Sequence, residues 1–360
     1  MIKTKISKLE LLSLNYFITR SFLVGVTFNA LLSSMKQNSW MVPLLNIITG
    51  IIYILIIYYI MNYKPSLNIN QKIKKLFRKP FSILIISIIS LILLSACILN
   101  FLNLCNFIQS QFLIKTPLIV IGILFMLACL YVVFKGLNTL LKTSNMLFYL
   151  SILFLILIVI GILPNIKINN IKPFFNLKFS NYMEGINTFY AFHICPIFLL
   201  TIIPKNKLDN KKIKMNIIFS YIISVITISL TIFITISTFG YKLAMLYEYP
   251  IFHVLKHVSI NGFGARIESI LVMQLIFDFF ICHVLLIFCI SENIKHITNT
   301  MKNNYIYIIV SIIILLGTLI FSKYSIYLDE ALKLIIPLIT TILATIIILI
   351  ICIKIKMSKN

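Results

Sequence analysis

Apolar runs of 18 or more residues recur from one end of this 360-residue chain to the other, and each is long enough to cross a bilayer as an α-helix. The runs are continuously apolar rather than alternating, which argues against a membrane β-barrel. With 60% hydrophobic and 11% charged residues and a mean hydropathy of +1.04, the chain cannot be a single water-soluble core. The sequence therefore predicts an all-α polytopic membrane protein embedded in a lipid bilayer. The basic start MIKTKISKLE leads into a long span without a small-residue cleavage site, as expected of a retained first helix. A net charge of +23 would suggest nucleic acid in a soluble protein. In a membrane protein the positive-inside rule and anionic headgroups account for it, so no nucleic-acid partner is expected. All seven cysteines fall inside predicted spans without metal-ligand spacing, so neither a metal nor another cofactor is expected.

Ten spans are predicted: 9–34, 40–62, 81–109, 117–135, 145–163, 184–203, 217–239, 267–291, 304–322 and 333–353. Pro80 and Pro117 stand at first turns, where a missing N–H is harmless. Pro164 and Pro204 close the fifth and sixth spans. Counting Lys and Arg by side gives 21 against 10, with Arg20 left within the first span. The excess places both termini in the cytoplasm. The segment 250–258, PIFHVLKHV, suits a short helix at the membrane surface or a packed loop.

Ten spans divide into 1–163 and 164–360, and an odd number in each half turns the second half upside down relative to the first. Transporters built from 5+5 inverted repeats have this arrangement. The third and eighth spans, equivalent in the two halves, are with the first the three longest. The first and sixth, also equivalent, carry the most disruptive residues: Thr19, Arg20, Ser21 and Gly25 in one, His193 and Pro196 in the other. Pro196 removes a backbone hydrogen bond in mid-span. The carbonyls freed in lipid must find partners in protein, water or ligand, so the break is either a kink satisfied by neighbouring helices or the place of a binding site.

The segment KISKLELLSLNYFITRSFLVGVTFNALLSSMKQNSW resembles the first helix of the endospore germination permeases, the GerAB/GerKB spore germination proteins. Residues 115–150 with LPNIKINNIKPFF (163–175) are similar to that family's fourth and fifth helices. YPIFHVLKHVSINGFGARIESILV (249–272) is similar to its loop into the eighth, ending in Arg266-Ile267-Glu268. The resemblance implies an amino acid–polyamine–organocation (LeuT-like) fold and residence in the spore inner membrane. It also implies the role of B subunit of a nutrient germinant receptor with A and C partner subunits, binding a germinant, often an amino acid, in a transporter-like pocket. Many members have a glycine-containing break in helix 1, where this chain has Arg20-Ser21-Phe22-Leu23 and its glycine at 25.

Ionisable groups deep in a span cost at least about 2.5–3.5 kcal/mol and are functional candidates. Here they are Arg20, His193, Asp278 and His283. Arg20 could hold a ligand carboxylate or pair with Asp278. Asp278, with Gln274 on the same helix face at i, i+4, could accept a ligand ammonium. Asn100, Asn103 and Asn106 form a polar stripe suited to hydrogen-bonding a neighbouring helix, or to ligand contact. Tyr190 lies three residues from His193 on one face. Arg266 and Glu268 stand at the outer mouth of the eighth span, placed to anchor it. The candidate ligand-binding set is thus Thr19, Arg20, Ser21, Gly25, Asn103, Tyr190, His193, Gln274 and Asp278. An ion-coupled amino acid permease is the alternative function. No nucleophile or metal motif accompanies the acid–base groups, so an enzyme is not expected.

Overall fold

The computed structural model describes residues 5–208, 212–257, 267–300, 304–324, 331 and 333–358. They are helical, with no β-strand among them. The chain runs through α1 (Lys8–Arg20), α2 (Phe28–Met35), α3 (Met41–Leu45), α4 (Ile47–Asn62) and α5 (Ile69–Leu76). It continues through α6 (Lys79–Gln111), α7 (Leu118–Lys135), α8 (Leu137–Ile162), α9 (Phe179–Phe189), α10 (Ile213–Phe239), α11 (Tyr241–Ala244) and α12 (Pro250–His257). The last three helices are α13 (Ile267–Thr298), α14 (Tyr305–Ser322) and α15 (Ile335–Met357). By length and composition eight described helices suit a membrane crossing, and a ninth if the bent pair at the N-terminal end is one span. The protein is an integral membrane protein.

The expected second span, 40–62, is not one rod. It is divided at Asn46, and α4 has 16 residues, roughly 24 Å of helix. Asn46 Nδ2 turns back on the Val42 carbonyl (3.1 Å), and Tyr221 of α10 donates to the Asn46 carbonyl (2.8 Å). The side chain thus competes with the helix ladder for backbone partners. Helices α6 and α13, of 33 and 32 residues, are the longest described, as their sequences suggested. At about 50 Å and 48 Å they exceed the hydrocarbon thickness and must tilt. Within 250–258, residues 250–257 form α12, which buries Phe252 and Leu255 rather than lying free.

Two capping boxes open helices near one end of the bundle. Ser7 and Glu10 exchange side chain-to-backbone bonds at the start of α1 (2.8 and 3.3 Å). Asn68 and Gln71 do the same at α5 (3.1 and 2.9 Å). Each satisfies N–H groups that a helix start leaves without partners. Ile6 N–H donates to the Lys207 carbonyl (2.8 Å) and Asn206 N–H to that of Pro65 (3.1 Å), so the N-terminal segment and two basic connections meet at one end.

Helix α10 carries Ser220, Ser224, Thr227, Thr231 and Thr235, all buried. The hydroxyls of Ser224, Thr231 and Thr235 return to carbonyls four residues back (2.8–2.9 Å). A face of small side chains, already hydrogen-bonded internally, lets α1 approach closely. Asn15 of α1 bonds Ser220 Oγ at 2.6 Å across that contact. The long apolar side chains outside, such as Leu124, Leu127 and Ile160, face outward as a bilayer requires.

Candidate functional site

Both expected interruptions are present, side by side. The first span is α-helical to Arg20. Val24 is then extended (φ −84°, ψ 132°), Gly25 takes φ +78°, and the chain bends by 63° before α2. Gly25 is required twice over. Its φ lies in the left-handed region, and a Cβ added there would run into the Asn103 amide of α6. Asn103 Nδ2 donates to the Val24 carbonyl, which the break has removed from the helix ladder. Phe22 O, on the other side of the break, takes both Thr27 Oγ1 (2.7 Å) and Thr27 N–H (3.1 Å).

The sixth span passes from α9 through a wide π-helical turn, Tyr190–Ile194, into a tight 3-10 segment, Cys195–Ile202. Pro196 is the second residue of that segment. Without an N–H it cannot close the bond to Phe192, and the coil changes pitch at that point. The Cys195 carbonyl is taken by Tyr53 Oη of α4 at 3.1 Å. The two interruptions touch directly: His193 Nδ1 lies 2.5 Å from the Thr19 carbonyl, to which it donates. Phe189 stacks on the imidazole at 4.4 Å.

Arg20, the last residue of α1, pairs with Asp278 of α13 through one contact, Nε to Oδ2 at 3.4 Å, with both side chains 3% exposed. A cation at a helix C-terminus is favoured by the dipole, and the guanidinium sits 5.2 Å from the centre of the Tyr16 ring. The pair is nevertheless incompletely bonded. Arg20 Nη1, Asp278 Oδ1, both amide atoms of Gln274 and His193 Nε2 have no protein partner. Buried groups left in this state cost about 1–3 kcal/mol each, more when charged, so this end of α1 holds unused hydrogen-bonding capacity beside opposite charges.

The nine predicted residues divide into three groups. Arg20, Asp278 and Gln274 supply the unpartnered polar atoms, with His193 and the Thr19 carbonyl at the adjoining joint. Gly25 and Asn103 shape the break itself. Ser21 Oγ and Thr19 Oγ1 turn back to carbonyls of their own helix (3.2 and 2.9 Å), while Tyr190 packs edge-on against Tyr53, 5.7 Å between centres. His283 is buried among Phe101 and Phe125 and donates to the Phe279 carbonyl (2.8 Å), a packing role. Glu268 is half-buried at the start of α13, and Arg266 lies outside the described residues.

Tyr16 stands outside the nine predicted residues, although an aromatic residue four positions before an arginine on one helix is a readable cation–π signal. An apolar cavity borders both breaks, lined by Phe22, Tyr53, Phe192, Cys195, Pro196 and Leu286 among others. None of the nine residues lines it. The cavity suits an apolar group, whereas the charged side chains are gathered in the Arg20–Asp278 cluster.

A family model described as "Spore germination protein" matches residues 6–326. The chain is 24% identical over 324 residues to Spore germination protein XB of Bacillus anthracis, covering 87% of this chain and 90% of that one. It is 25% identical over 167 residues to Spore germination protein KB of Bacillus subtilis (strain 168), 45% of this chain and 44% of that one. Among solved structures it is similar to Mhp1, a nucleobase-cation-symport-1 family transporter, in a closed conformation with bromovinylhydantoin bound. The TM-score is 0.67 at 12% identity, over 96% of this chain and 78% of that one. At that identity the likeness establishes the fold, that of LeuT-type transporters.

Proposed function

The chain belongs to the spore germination protein family, and from that premise we propose that it is the membrane subunit that binds the germinant in a nutrient receptor. It works with A and C subunits in the spore inner membrane. The germinant is a small zwitterion, an amino acid by class. Its carboxylate meets the Arg20 guanidinium and its ammonium meets Asp278, with Gln274 one turn away to accept or donate. The observation that carries this reading is the single 3.4 Å contact between Arg20 and Asp278, which leaves Arg20 Nη1 and Asp278 Oδ1 unpartnered. A zwitterion brings one complementary charge to each side, so neither buried ion is left alone when it enters. The interrupted spans adjoin this cluster through the His193–Thr19 contact. In this reading residues 1–163 and 164–360 are inverted repeats, with the first and sixth spans as equivalent members.

Purified protein in nanodiscs, titrated with a panel of amino acids, tests the proposal. A saturable rise in thermal midpoint for some members, absent in Arg20→Ala and Asp278→Ala, is expected. No midpoint change with any member, or an unaltered response in both variants, defeats it. The transporter fold favours a second reading, an ion-coupled amino acid permease. Gradient-driven accumulation of labelled amino acid in proteoliposomes would establish it over the receptor-only role.

A further inference from the structure

A second polar recess lies far from the spans' interruptions, where the C-terminal end of α13 meets α5 and the first turn of α6. It is lined by Lys74, Lys79, Ser82, His296 and Asn299, with Ile83 and Ile297 completing its wall. No carboxylate lines it. The nearby Glu292 is already held by Lys295 Nζ (3.1 Å) and Tyr307 Oη (3.4 Å). Lys74 Nζ is fixed at the rim by Asn299 Oδ1 at 3.1 Å. Ser82 and His296 are buried, at 2% and 4% exposure, and the His296 Nε2 has no protein partner. The recess therefore joins two ammonium groups, a buried imidazole nitrogen free to donate when it carries a proton, and the positive end of a 33-residue helix.

These groups match an oxyanion. We propose that the recess is a phosphate-binding site, filled either by the headgroup phosphate of an anionic phospholipid or by free phosphate. The lysines supply charge from α5 and α6, and His296 supplies a directed hydrogen bond from α13. Binding ties α13 to the consecutive helices α5 and α6. Basic recesses between membrane helices bind anionic headgroups by this physics.

The test uses the full chain and two double variants that remove equal charge. Lys74→Gln/Lys79→Gln alters the recess. Lys135→Gln/Lys142→Gln alters two exposed lysines, one ending α7 and one in the second turn of α8. In uncharged detergent, inorganic phosphate is titrated against chloride at equal ionic strength. In a parallel arm, protein in nanodiscs of phosphatidylcholine with or without phosphatidylglycerol is followed by thermal midpoint and by lipid retained in native mass spectrometry. The expected result is a saturable effect in at least one arm, weakened about tenfold or more by the recess variant and unchanged in the control. A response to phosphate alone identifies a soluble ligand, and a response to phosphatidylglycerol alone identifies a lipid headgroup. No effect in either arm, or equal loss in both double variants, overturns the site.

Discussion

His193 and Thr19 meet at 2.5 Å, imidazole Nδ1 to backbone carbonyl, and this contact joins the interruption of the sixth span to that of the first. The Thr19 carbonyl is among the last four of α1, which a helix end leaves without their usual partners. The His193→Phe variant keeps the stack on Phe189 and removes the donor. It is expected to lose about 1–3 kcal/mol of stability. Chemical unfolding of the detergent-solubilised protein measures the loss, and a change below a few tenths of a kcal/mol would show that the contact does not hold the two spans together.

Arg20 and Asp278 are worth more as a pair than apart. Either single alanine variant leaves a buried charge uncompensated and is expected to cost about 3–5 kcal/mol. The apolar double variant Arg20→Met/Asp278→Leu should recover most of that stability yet remain unresponsive to nutrient. Thermal midpoints and germination dose curves separate the two effects. A double variant with restored stability and normal nutrient sensitivity would remove the pair from the site.

Gly25→Ala forces a side chain into a left-handed backbone position and against Asn103. A cost of about 1–3 kcal/mol is expected from the backbone alone. Adding Asn103→Ala relieves the clash but not the φ, so the double variant should regain only part of the loss. Full recovery in unfolding measurements would mean that the left-handed conformation is not needed.

Lys72 on α5 is buried outside the spans, with its ammonium on the Ile60 and Met61 carbonyls (2.9 and 3.1 Å). Burial, with Lys205 as a second cause, lowers its pKa from 10.5 to about 8. Between those values the unfolded chain binds more protons than the folded one, so stability should rise as pH increases through this window. The thermal midpoint of the native protein is expected to climb between about pH 8 and 10, and Lys72→Met should flatten that rise. Identical slopes for the two proteins would contradict the assignment.

Both termini are expected on the cytoplasmic face, following the basic-residue asymmetry. Protease-cleavable tags at each end, exposed to protease in inside-out vesicles, should both be removed. Cleavage of one alone would break the inverted-repeat reading.

The apolar runs specified a helical membrane protein without reference to any contact, because the free energy of placing side chains in lipid depends on local composition. Pro196 and Gly25 marked the interruptions for a covalent reason: one lacks an N–H and the other a Cβ. The division at Asn46 is not legible in the sequence, since an asparagine that competes for its own helix's carbonyls looks like any polar residue in an apolar run. Nor is the hydroxyl stripe of α10, whose role depends on α1 lying against it. The sequence leaves open whether Arg20 serves a ligand or Asp278, and only the tertiary structure places these residues, 258 positions apart, at 3.4 Å. The reason is physical. Hydrophobicity and backbone stereochemistry act within a few residues, whereas the partner of a buried charge is chosen by how helices pack.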